Sequence, residues 1–273
     1  MATDLLRYDG RRALIVGGAS GMGLATAQLV ADLGAEVVVM DVQDPRQAVG
    51  TFVHVDLRDR ASIDAALDAA GGRFHALFSC AGVADGTAGL PLVNFVGQRH
   101  LIERALAHDL LPPGSAVAMI SSIGGMGWET RLGPIAELLG QPGYEAAAAW
   151  FDAHPDLATY TFTKQAVITY CGRRGSELIR RGIRINCTAP GPVMTPLMEA
   201  NAAWQQFEEG VRDLTGVAGS SPEQQAWPLA FLNSDAASYV NGHCLVTDAG
   251  LTAGGMTGAL SSPMLDSILP HRP

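Results

Sequence analysis

The sequence predicts an α/β fold: one domain on a seven-stranded, doubly wound parallel sheet, with a helical insertion after the fifth strand. Three observations predict it. Short β-branched runs alternate with Ala- and Leu-rich stretches of helical period, the pattern of strand–helix–strand crossovers. A glycine-rich turn separates the first strand from the first helix. Hydrophobic residues make up 48% of the 273 positions and charged residues 16%, enough apolar material for one sizeable core. No repeat or linker divides the chain, so residues 1–273 read as a single domain.

The elements follow in order. "RALIVGG" (12–18) reads as a buried first strand, and "GLATAQLVADLG" as a helix closing at Gly34, where glycine suits the position past a helix end. "AEVVVMD" (35–41) and "TFVHVD" (51–56) are the second and third strands. "SIDAALDAAGG" is a helix, and "HALFSCAG" (75–82) the fourth strand. "LVNFVGQRHLIERALAHDLL" keeps helical spacing through Leu111 and stops at Pro112-Pro113. "SAVAMISS" (115–122) is the fifth strand, and a helix holding Tyr160 and Lys164 runs to about Arg181. "IRINCTAPGP" (183–192) and "HCLVTDAG" (243–250) complete the sheet, with a helix near 222–233 between them. The tail from 251 to 273, rich in Gly, Ser and Pro, receives no assignment.

Composition excludes several functions. A formal net charge of -9 disfavours nucleic acid and anionic membrane surfaces as partners. No apolar run approaches the ~20 residues that span a bilayer. The start "MATDLLRYDG" lacks the basic and apolar regions of a signal peptide, so a cytoplasmic protein is expected. Cys80, Cys171, Cys187 and Cys244 show no CxxC spacing and read as free thiols. The histidines show no HExxH or paired spacing, so no metal is expected.

Two motifs carry chemistry. After the first strand, Gly17, Gly21 and Gly23 stand in "GGASGMG". Such glycines are often mere turns, but between a strand and a helix they let a pyrophosphate reach the helix N-terminus. Asp41 ends the second strand, where a carboxylate accepts from ribose hydroxyls and repels a 2′-phosphate. Val42 follows and no cation lies in the loop, so NAD is expected as the cofactor rather than NADP.

The second motif is "YTFTK". Lys164 is the only lysine in the chain; every other basic residue is arginine. Lysine is a compact point charge and arginine a planar fork, so a site needing a small ammonium beside a phenol selects lysine. Residues four apart on a helix share a face, which brings Lys164 to Tyr160. A free phenol titrates near ~10, and acting near neutrality requires a fall of ~2–3 units, about 3–4 kcal/mol. A desolvated ammonium is the expected perturber.

With these residues the chain resembles the short-chain dehydrogenase/reductase family over about 11 to 250, a Rossmann fold. The resemblance implies a catalytic set of Ser122, Tyr160, Lys164 and Asn94. Ser122 would hold the substrate oxygen, Tyr160 exchange the proton, and Lys164 hold the nicotinamide ribose, with Asn94 extending a proton path. Cofactor contacts carry over to Gly17, Ser20, Gly21, Met22 and Gly23, to Asp41, and to Asp56 and Leu57 at the adenine. They continue at Cys80, Ala81 and Gly82, at Pro190, Gly191, Val193 and Thr195 beside the nicotinamide, and at Tyr160 and Lys164 themselves. Two departures stand out: Ser79-Cys80 replaces two asparagines, and Val16 a threonine.

Substrate residues are expected in "MTPLMEANAAWQQF", where Met194, Leu197, Met198, Trp204 and Phe207 suit a lid, with Ser122 and Tyr160 at the reacting end. Together they suggest a bulky apolar secondary alcohol or ketone, of hydroxysteroid, alicyclic or aromatic type. The resemblance is strongest to the 3-alpha-hydroxysteroid dehydrogenase/carbonyl reductase and coniferyl-alcohol dehydrogenase-like subgroup. An aromatic or allylic primary alcohol is the alternative, and a non-catalytic NAD-binding regulator the reading from another class. Enoyl reductases of this family space the tyrosine and lysine more widely. The stretch 123–159 is longer than the family's usual connection and reads as two short helices carrying Ile135, Leu138, Leu139, Trp150 and Phe151. An interface or a substrate wall is expected there, and a homodimer is favoured over the family's tetramer.

Overall fold

The computed structural model describes residues 2–269. Its strands are β1 (Arg12–Val16), β2 (Glu36–Asp41), β3 (Thr51–His54), β4 (Ala76–Ser79), β5 (Ala116–Ile120), β6 (Arg184–Pro190) and β7 (Cys244–Thr247). All pair in parallel in the order β3-β2-β1-β4-β5-β6-β7. The winding reverses between β1 and β4, so a crevice opens at the carboxyl ends of those two strands.

The helices are α1 (Gly21–Asp32), α2 (Arg60–Ala70), α3 (Gly97–Ala107), α4 (Leu132–Gly140), α5 (Gly143–Ala153) and α6 (Tyr160–Leu178). They continue as α7 (Pro196–Glu199), α8 (Ala202–Thr215), α9 (Pro222–Asn233), α10 (Leu251–Met256) and α11 (Pro263–Ile268). Side chains alternate across a strand, and the sheet uses both faces. Leu14, Val16, Val38, Met40, Leu77, Val117 and Met119 enter one core with α2, α3 and α6. Ala13, Ile15, Val37, Val39, Phe78 and Ala118 enter the other with α1 and α9.

The strands end earlier than their apolar runs. Gly17-Gly18, Cys80–Gly82 and Ser121-Ser122 leave the ladder because the chain must turn there, and those turns form the crevice rim. The expected helix 92–111 is also shorter and broken. Leu92–Val96 is a π-helical turn, α3 stops at Ala107, and Asp109 takes a left-handed φ of 54°. Such π turns recur at functional sites, and this one carries Asn94.

The insertion forms the two expected helices, α4 and α5, but not a substrate wall. Ile135, Leu138, Trp150 and Phe151 are buried in the domain's own larger core, with Leu139 partly buried beside them. Trp150 stacks on Phe162 of α6 at 5.8 Å between centroids and 16° between planes. Arg99 of α3 donates to the carbonyl oxygens of Leu138, Leu139 and Gln141 at 3.2, 3.1 and 2.9 Å. It thereby satisfies the last carbonyls of α4. No residue from 125 to 159 lines the chamber around Tyr160. The apolar faces of α4 and α5 found their partner in cis: the flank of α3 and α6.

Trp150→Ala is expected to lower stability by roughly 3–5 kcal/mol while leaving KM unchanged. A urea melt beside a steady-state assay checks both halves.

Candidate active site

A cleft of about 540 Å³ lies at the carboxyl ends of β1, β2 and β4. Its floor is the glycine loop. Gly17 has φ +80°, and a Cβ there would stand 2.4 Å from the Ala81 backbone nitrogen. A Cβ on Gly23 would stand 2.0 Å from the Gly17 carbonyl oxygen. Only glycine permits a loop this tight. Ser20 caps α1 by position but makes no side-chain cap bond, so the first N–H groups of α1 are left to an anion. Asp41 holds the loop from the far side, accepting from the N–H groups of Ala19 at 2.9 Å and Gln43 at 3.1 Å. These features fit a dinucleotide: a pyrophosphate at the α1 N-terminus and a ribose at Asp41.

The expected contacts Gly17, Ser20, Gly21, Met22, Gly23, Asp41, Asp56, Leu57, Cys80, Ala81, Gly82 and Thr195 all line this cleft. Asp56 is paired with the Arg58 guanidinium at 2.7 Å, and that pairing holds its carboxyl below the usual range. Arg58, absent from the sequence reading, also lines the cleft.

The cleft runs into a chamber of about 350 Å³ through the shared residues Met22, Cys80, Gly82, Thr195 and Leu197. Ser122, Tyr160 and Lys164 meet there, and Pro190, Gly191 and Val193, expected beside the nicotinamide, line the same chamber. Thr159 caps α6, its hydroxyl oxygen accepting from Phe162 N–H at 3.2 Å. The helix therefore begins at Tyr160 itself. Ser121 Oγ donates to the Lys164 carbonyl at 2.8 Å, locking α6 to the end of β5. Lys164 is 3% exposed. Its ammonium donates to the Ile120 carbonyl oxygen at 2.9 Å and lies 5.4 Å from the Tyr160 ring centroid. Burial pushes this ammonium down to about 8, with the Cys80 and Cys187 thiols pulling it back up.

The phenol departs from expectation. Burial raises Tyr160, a hydrogen bond with Ser122 pulls it down, and the Asp85 charge raises it further. The net direction is upward, because the protein's own groups desolvate the phenol more than they favour its anion. Asn94 does not bond Lys164. Its side-chain oxygen accepts from Val83 N–H at 2.8 Å and its amide donates to Val83 C=O at 3.0 Å, so it fixes the chain after "CAG".

Leu197, Met198, Trp204 and Phe207 line the chamber as expected of a lid, from α7 and α8. The Trp204 ring meets the Tyr160 ring at 4.9 Å and 61°. Met194 is a correction. It is 46% exposed and lines neither space, because its N–H is committed to the Ser220 carbonyl and its side chain turns toward Gly219.

Besides Arg58, sequence reasoning missed three groups. Gln98 is buried, accepting from Ser79 Oγ at 2.6 Å and donating to the carbonyl oxygens of Ala81 and Val93 at 2.8 Å each. It braces the strand end where the asparagines are replaced. Asp85 Oδ1 accepts from Tyr160 N–H at 2.8 Å, a charge-assisted bond at the positive end of α6. Ile268, from the unassigned tail, lines the chamber. Each partner is remote in sequence, and no local pattern marks them.

The buried ammonium has a stability signature. Its folded pKa lies below the unfolded value of 10.5, so between those values the unfolded chain binds more protons and stability rises with pH. The protein is expected to gain about 3 kcal/mol relative to Lys164→Met between pH 8 and pH 10.5. Denaturant melts of both across that range check it; a constant difference contradicts it.

A short chain dehydrogenase family model matches residues 11–131, and one described as enoyl-(acyl carrier protein) reductase matches 146–252. Cis-4-hydroxycyclohexanecarboxylate dehydrogenase of Sinomonas cyclohexanicum is 32% identical over 89% of this chain and 97% of its own. Coniferyl-alcohol dehydrogenase of a Pseudomonas species is 28% identical over 91% and 99%. The 3-ketoacyl-(acyl-carrier-protein) reductase of Brucella melitensis, solved with NADH, superposes with TM-score 0.67 at 23% identity, covering 89% of this chain and 99% of that one. The likeness runs from the glycine loop to the last strand: the chain belongs to the short-chain dehydrogenases/reductases, nicotinamide-dependent oxidoreductases of alcohols and ketones.

Proposed function

We propose that this enzyme transfers hydride between NAD and a neutral, apolar secondary alcohol of ring size, or its ketone. The observation that carries the reading is the chamber. Ile123, Leu197, Met198, Trp204, Phe207 and Ile268 wall it in around Ser122 and Tyr160. Its charged groups are Lys164, turned to a backbone carbonyl, and Asp85, turned to a backbone N–H. Among the described residues, no other cation lines the chamber to pair a substrate carboxylate. A volume of about 350 Å³ shared with the nicotinamide end sits at the small end of ligand pockets. That favours one or two rings over a four-ring skeleton. The substrates named for two relatives, a hydroxycyclohexanecarboxylate and coniferyl alcohol, agree with this size, although the first carries a carboxylate.

The bound nicotinamide supplies the hydride acceptor and donor. Ser122 holds the substrate oxygen beside the phenol, and Tyr160 takes the proton during oxidation and returns it during reduction. Lys164 contributes positive charge that favours the phenolate. The apolar lid excludes water, which strengthens these interactions. NAD would be preferred because Asp41 lines the cleft at the end of β2, held by two backbone N–H groups, where a carboxylate would accept from ribose hydroxyls and repel a 2′-phosphate.

Tyr160→Phe is expected to retain cofactor binding and lose turnover by about 10²–10⁴-fold, read as NADH absorbance with a panel of cyclic alcohols. Near-normal turnover in the folded variant refutes the assignment. For the cofactor, Asp41→Ser with Val42→Arg removes a repulsive carboxylate and adds a phosphate-pairing fork. The ratio of kcat/KM for NADP over NAD is expected to rise at least tenfold. Wild-type protein already faster with NADPH than with NADH contradicts the Asp41 reading.

A further inference from the structure

The tail from Leu251 onward packs against the two segments that frame the reacting centre. Leu251, Leu265 and Leu269 are buried in a third apolar cluster with Ile123 and Val211. Ile123 directly follows Ser122, and Val211 lies on α8, the helix that carries Trp204 and Phe207. Between the anchors Leu265 and Leu269, Ile268 lines the chamber.

The docking surface is cut to fit. A Cβ on Gly255 would stand 2.7 Å from Leu269 Cδ1, and one on Gly254 the same distance from Leu260 Cδ1. On α8, a Cβ at Gly210 would stand 3.2 Å from Met264 Sδ. Three glycines on two helices leave the room the tail occupies. A helix as short as α11 has little stability of its own, so its packing on these apolar residues helps to hold Ile268 in place.

We propose that Pro263–Leu269 is the specificity wall of the substrate chamber, with Ile268 setting the ring size admitted beside Tyr160 and Gly255 docking the segment. The proposal rests on the chamber being the substrate site. Its consequence is that selectivity can be changed from α10, by residues that touch no substrate.

The test uses the full chain with NADH, comparing kcat/KM for cyclohexanone and 2-decalone. Ile268→Ala is expected to raise the decalone-to-cyclohexanone ratio by about tenfold, since each methylene in an apolar pocket is worth 10-fold or more. Ile268→Trp should lower it. Gly255→Leu should raise it as Ile268→Ala does, by displacing Leu269 and the wall. Unchanged ratios in all three, with circular dichroism and melting temperature retained, overturn the proposal. If turnover is too slow to measure, the same ratio is read as Kd from tryptophan fluorescence quenching in the presence of NADH. Binding of neither ketone refutes the alicyclic reading of the chamber, and with it the wall. Activity surviving in a parallel Tyr160→Phe variant faults the catalytic assignment alone.

Discussion

The site depends on one constraint: a single ammonium held almost dry against the end of β5. Lys164 lies under the Tyr160 ring, donates to the Ile120 carbonyl oxygen, and has 3% of its surface exposed. Holding a cation there is unfavourable, and the surroundings are arranged to bear it. Ser121 ties the Lys164 carbonyl to the strand end, and a Cβ on Gly125 would stand 2.9 Å from that carbonyl. Tyr160 and Lys164 stand one turn apart on α6, so what locks the helix to β5 positions both.

A second set of bonds fixes the wall opposite. The segment after β4 is gripped at Ala81 by Gln98, at Val83 by Asn94, and at Asp85 by the first N–H of α6. Two of these side chains issue from the π turn and α3, and the third reaches across to the catalytic helix. Where Ser79-Cys80 stands in place of the two asparagines expected of the family, Gln98 bonds both Ser79 Oγ and the Ala81 carbonyl oxygen. Burial pushes the Cys80 thiol up to about 12, so it serves as a neutral, compact surface between cleft and chamber.

The additions to the basic sheet have divided roles. The insertion stacks Trp150 on Phe162, two residues past Tyr160, and so buttresses α6 from its outer side. The tail packs on Ile123 and α8 and so meets the chamber. Both are short, apolar and helical. What separates them is the surface each meets: the insertion packs on α3 and α6, and the tail on Ile123 and α8.

The sequence by itself determined the sheet, the glycine loop and the Tyr160–Lys164 pair. These are local patterns: apolar runs bounded by turns, glycines at backbone positions closed to other residues, and two side chains one helical turn apart. Helix α9 ends where its pattern says, at Pro222 and Asn233. Tertiary structure decided everything that needed a remote partner. The apolar residues of the insertion showed that they must be covered but not by what, and α3 and α6 supplied the cover. Met194 reads as well as Met198 in the sequence, yet only Met198 enters the chamber, because a bond to Ser220 turns the chain between them. Asp85, Gln98 and Ile268 carry no local signature, since a hydrogen bond or a contact across the fold has no period in the sequence. The direction of the Tyr160 shift was likewise out of reach, because helical spacing reports proximity to a charge and only the folded surroundings report desolvation.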